Sequence, residues 1–99
     1  MPKEPMRQIG NLNGVGQLIV DGDEFDGVGY SITVSIADGE KIQRGQITPP
    51  SAQALWDLSE VGGGVLRLED GTEVDIVLLS TNVTQFVAEI QVNSALPGF

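Results

Sequence analysis

From Asp26 onward the chain alternates, with Val28, Tyr30, Ile32, Val34 and Ile36 on even positions and Gly27, Gly29, Ser31, Thr33 and Ser35 on odd ones. A sustained period of two predicts a strand with one buried apolar face and one face of small, mostly polar residues. Asp21-Gly22-Asp23 before it and Asp38-Gly39 after it are hairpin signals, because Asp and Gly tolerate the positive φ of tight turns. They set a short strand at 17–21 on one side and another at 41–47 on the other. Upstream, Pro2, Pro5, Gly10, Asn11 and Asn13 show no sustained period. Residues 1–14 therefore read as a flexible N-terminal arm, with a short extended piece at 7–12.

The period changes after Thr48. Thr48 suits a helix N-cap and Pro49 the first helical position, where a missing N–H costs nothing. Ala52, Leu55, Trp56 and Leu58 then form the packing stripe of the only predicted helix, and Gly62-Gly63-Gly64 ends it. Trp56, the lone tryptophan, is expected to anchor that helix on the sheet. Three further strands follow at 65–69, 73–80 and 83–92, the first two joined by Asp70-Gly71. In the last, Phe86, Ala88, Ile90 and Val92 share a face.

The order is thus βββ-α-βββ. The two halves also begin alike: GVGQLIVDGDEFD at 14–26 aligns with GGGVLRLEDGTEVD at 62–75 with a one-residue gap. Such an internal duplication lets two meanders close on each other. The expected fold is all-β: a small six-stranded antiparallel barrel, or a barrel-like sandwich, with one helix between strands 3 and 4. Residues 15–93 form the single domain, and 94–99 a C-terminal tail.

Composition narrows the chemistry. Ninety-nine residues are enough for one modest core. Cysteine and histidine are both absent, which removes disulfides, thiolates, the usual neutral-pH base and the commonest metal ligand. No recognisable catalytic motif remains, so the chain reads as a non-enzyme without a cofactor. Gly62-Gly63-Gly64 is not a phosphate cradle, since a strand follows it and no Lys is near. The net charge of −9 opposes nucleic acid and anionic membrane surfaces, and Lys3, Arg7, Lys41, Arg44 and Arg67 form no run. No apolar stretch has signal-peptide or membrane-span length, so the expected location is cytoplasmic.

The carboxylates are unevenly placed. Asp21, Asp23, Glu24 and Asp26 occupy one hairpin turn, and Glu69, Asp70, Glu73 and Asp75 its counterpart, eight of the fourteen acids in all. An EF-hand loop starting at Asp21 fails, because Phe25, Asp26 and Ile32 stand where an oxygen ligand, a Gly and a bidentate Glu are needed. If the fold brings the two turns together, they form an acidic surface for a protein partner. The functional expectation is a non-catalytic protein-interaction module, acting through that surface or by self-association along a strand edge. The alternative is a barrel whose mouth binds a small ligand or a divalent cation such as calcium, with Asp21, Asp23 and Asp26 as the oxygen donors.

Overall fold

The computed structural model describes residues 7–96. Six strands and one helix follow in the expected order: β1 (Arg7–Val20), β2 (Asp23–Ala37), β3 (Glu40–Thr48), α1 (Ala52–Val61), β4 (Gly63–Arg67), β5 (Glu73–Asn82) and β6 (Val87–Val92). They form a closed antiparallel barrel in the order β1-β2-β3-β6-β5-β4. The Asp-Gly pairs make the first two hairpins: φ is 50° and 87° at Asp21 and Gly22, and 52° and 79° at Asp38 and Gly39. Two consecutive positive φ values give a turn whose twist matches the flanking strands.

The alternation of β2 holds. Val28, Tyr30, Ile32 and Val34 are buried, and they share one apolar cluster with Leu18, Val20, Ile47, Leu66, Val74, Ile76, Ala88 and Ile90. Tyr30 keeps its hydroxyl satisfied at the margin of this core, where it accepts a hydrogen bond from the Glu69 N–H at 3.1 Å.

Strand β1 starts earlier than its composition suggests. Residues 7–14, expected in the arm, pair with β2 from Arg7↔Ile36 to Gly14↔Tyr30. The long alternating run of β2 needs a partner along its whole length, and this requirement overrides the weak strand propensity of Gly and Asn. The domain therefore begins within the expected arm, and residues 1–6 lie outside the described part. The tail is also engaged: Leu96 is buried, and the Asp75 N–H donates to the Ser94 hydroxyl at 2.9 Å. Residues 97–99 lie outside the described part.

Helix α1 starts later than predicted. Its N-cap is Ser51, whose hydroxyl accepts from the Ala54 N–H at 3.2 Å. Thr48 is instead the last residue of β3. Pro50 disfavours helical backbone at Pro49, so the first side-chain oxygen able to cap a helix here belongs to Ser51. Gly62, at φ 86°, terminates it and donates its N–H to the Leu58 carbonyl at 2.8 Å. The buried residues are Ala54, Leu55 and Leu58. Leu55 and Leu58 join the strand interior, which seats the helix against the barrel.

The two meanders meet at two seams. One pairs β3 with β6 between Arg44↔Gln91 and Ile47↔Ala88. The other pairs β1 with β4 through Gln17↔Arg67, Leu18↔Leu66 and Ile19↔Val65. The repeat alignment makes Leu18 the counterpart of Leu66, and here the two pair with each other. Exchanging the halves converts Gln17↔Arg67 into Val65↔Ile19, so this seam maps onto itself. Glycines on either side follow the same rule. A Cβ at Gly16 would overlap the Arg67 carbonyl oxygen, while one at its counterpart Gly64 would lie 2.5 Å from the Ile19 carbonyl oxygen. The seam has the two-fold form that an internal repeat requires.

Candidate functional site

The antiparallel β1–β4 pairing decides where the acidic turns lie. The β1–β2 tip leaves one end of the seam and the β4–β5 tip leaves the other, so the turns are not one patch. Asp21 and Asp23 are exposed at the first tip, and Glu69 and Asp70 at the second. Only the bases of the hairpins converge. Across β2, β1, β4 and β5 the register sets Asp26, Gln17, Arg67 and Glu73 in one row.

Arg67 organises that row. Its guanidinium donates to Glu73 Oε2 at 2.7 Å and 3.2 Å, and it lies 3.6 Å from Glu24 Oε1. It also donates to Gln17 Oε1, while Gln17 Nε2 donates to Asp26 Oδ1 at 2.5 Å. The Glu73 hydrogen bond raises the Arg67 pKa above its ordinary value, with Glu24 and Asp26 adding smaller effects in the same direction. Asp75 faces a different neighbour, accepting from the Ser94 hydroxyl at 3.3 Å. At the second tip, the Thr72 N–H donates to Asp70 at 2.9 Å and holds its pKa below the ordinary carboxylate value.

This geometry makes Arg67 a charge brace. Arg67→Ala is expected to lower the thermal midpoint at low salt, because Glu24, Asp26 and Glu73 then repel one another without a counter-charge. The difference should shrink as salt is added, since exposed charges are screened. Melting at two ionic strengths checks it, and a salt-independent loss would mean that lost packing dominates.

The cation-binding arrangement gains no geometric support: no group of three acidic side chains among the described residues is placed to hold a metal ion. The barrel interior is filled by Leu18, Ile32, Ile47, Leu66 and Ile90, each with no exposed surface. A polar open groove of about 500 Å³ lies outside the barrel, between Glu40, Lys41, Gln43 and Arg44 of β3 and residues 91–95. Gln43 crosses it, donating to the Val92 and Ser94 carbonyls at 3.2 and 2.8 Å.

A different site emerges at the helix. Trp56 does not anchor α1; it is 62 % exposed. Leu55 and Leu58 point into the barrel, and the turn of about 100° per residue carries Trp56 to the flank. There it lines an apolar groove of about 290 Å³ with Ala52, Leu55, Ser59, Thr81, Val83 and Phe86. The far wall is the β5–β6 turn, where Phe86 sits at φ 59° and the Gln85 N–H donates to Asn82 Oδ1 at 3.0 Å. Val83 is 76 % exposed on this turn. Alternation had extended β6 back to 83, which concealed this wall; the Pro49-Pro50 pair was the signal for the shifted helix. Helix α1 carries Asp57 and Glu60 and no Lys or Arg. Compared with protein-family models, curated proteins and solved structures, the chain matches none.

Proposed function

We propose that this chain is a non-catalytic, cytoplasmic protein-interaction module whose groove between α1 and the β5–β6 turn takes a cationic peptide segment with apolar anchors. The observation that carries this reading is a tryptophan 62 % exposed at the side of an apolar groove. Tryptophan gives a large contact area for little lost side-chain freedom, and such residues dominate binding energy at protein interfaces. The charge of the partner follows from the surroundings. Asp57 and Glu60 sit on the helix without a basic neighbour on it, and the chain as a whole carries −9. The exposed carboxylates Asp21, Asp23, Glu69 and Asp70 add to a field that draws a cationic partner in.

Trp56 is the only tryptophan, so its emission reports on the groove directly. The test titrates the protein with a synthetic helical peptide bearing leucines at i, i+3, i+4 and i+7 and lysines elsewhere. A saturable blue shift is expected, weakened by salt and abolished by Val83→Asp. The same peptide with glutamates in place of lysines should give little change. Equal response to both peptides would assign the groove to neutral apolar ligands, and no response to either would remove the proposal.

A further inference from the structure

We infer that two copies of this chain pair through the outer edge of β1, antiparallel and centred on Leu12. Strand β1 meets β4 only at Gln17, Leu18 and Ile19. Before that point its other side is bonded to β2 without interruption from Gly10↔Val34 to Gly16↔Val28. Residues 10–15 therefore present a regular row of backbone donors and acceptors that no strand covers among the described residues, whereas Gly16 already lies against the Arg67 carbonyl. Such an edge is a template for another strand, and proteins ordinarily protect it with Lys, Pro, a bulge or brevity. Between 8 and 16 there is no charged residue and no proline. The protective features are two register shifts, between Gln8 and Gly10 and between Gly16 and Gln17, which bound the row at its two margins.

The sequence of this edge selects the partner. Residues 9–15 read Ile-Gly-Asn-Leu-Asn-Gly-Val, a palindrome about Leu12 apart from the Ile–Val exchange. In an antiparallel pair centred there, each position meets its own kind. Asn11 faces the second copy's Asn13, Gly10 faces Gly14, Ile9 faces Val15, and Leu12 faces Leu12 on the two-fold axis. A symmetric dimer needs a self-complementary patch, and a palindrome on an antiparallel edge supplies it residue by residue. The side chains are placed for it. Asn11 and Asn13 are exposed, Ile9 and Val15 are 41 % and 55 % exposed, and Leu12 packs against the core while keeping part of its surface open. The pairing would cover apolar groups at both ends and an asparagine ladder between them.

Charge favours the same location. Copies of a protein at −9 repel, so they approach best where carboxylates are absent. Residues 8–20 and 27–37, which make up most of β1 and β2, contain no charged side chain, and the Glu69 carboxylate approaches this surface only beside Gly14. This surface is separate from the Trp56 groove, and the inference does not rest on the reading of that groove.

The full chain should show a concentration-dependent monomer–dimer equilibrium by sedimentation. A monomer mass at every concentration up to about 1 mM overturns the inference. The double variant Asn11→Lys with Asn13→Lys sets lysine opposite lysine in this register. It should be monomeric while keeping the wild-type circular dichroism, whereas a dimer as tight as wild type overturns it. Register is tested separately, because the cysteine-free chain accepts single cysteines cleanly. Mixed Asn11→Cys and Asn13→Cys chains should form disulfides several-fold faster than either alone, since only the opposed pair falls within disulfide reach. Equal or slower cross-linking in the mixture overturns the pairing. Val83→Asp should leave the dimer intact; its loss would move the interface to the α1 groove and defeat the inference.

Discussion

Gly45→Ala is expected to cost the barrel about 3 kcal/mol or more, enough to shift urea unfolding to much lower denaturant. Gly45 lies on β3 between Ile32 of β2 and Ile90 of β6, so its backbone is held from both sides. A Cβ there would overlap the Ser31 carbonyl oxygen and stand 2.7 Å from the Ile32 Cα. Those atoms are backbone, and they cannot move aside as a flexible side chain would. Glycine at this point permits the close strand approach that a small barrel demands. Only a displacement of β2 or β3 could make room, and either would break ladder bonds. A loss below about 0.5 kcal/mol, as seen for ordinary surface substitutions, would show that the strands can part there without penalty.

The second large effect is expected at the β1–β4 seam. Leu18→Ala and Leu66→Ala should each destabilise by roughly 3 kcal/mol, from lost apolar burial plus the cavity left behind. Both side chains are fully buried, and the two residues are directly paired. Because they share one packing site, the double substitution should cost less than the two single losses added together. Domains of this size have about 5–15 kcal/mol to lose, so the double variant is expected near the limit of folding. Strict additivity in urea titrations would mean that the leucines pack independently, and the seam would not be one unit.

Much of the fold was legible because local signals agreed. The Asp-Gly turns, the alternation of β2 and the glycine stop after the helix each had a mechanism, and none conflicted with a neighbour. Strand β1 was only half legible, since its glycines and asparagines become strand through the demands of β2 and not through their own preference. The acidic turns were read from composition, but their separation depends on strand direction at a seam joining residues far apart in sequence. Trp56 departs from the expected stripe for a local reason: Leu55 and Leu58 meet the barrel, and at about 100° per residue Trp56 lies well off the direction they share. Phe86 was hidden because it continues the alternation of Ala88, Ile90 and Val92, and Val83 because the strand was expected to start there, although the chain turns at both.

The β3–β6 seam has a consequence for the order of assembly. It joins residues 44–47 to 88–91, whereas each hairpin joins neighbours across a few residues. Closing the longer loop carries the greater entropic penalty, so the hairpins can form early while that union waits. Until then, two half-barrels stand with their oily sides uncovered. A nascent chain is most exposed to misassociation in that interval, and the helix between the halves is the tether that keeps each near its proper mate.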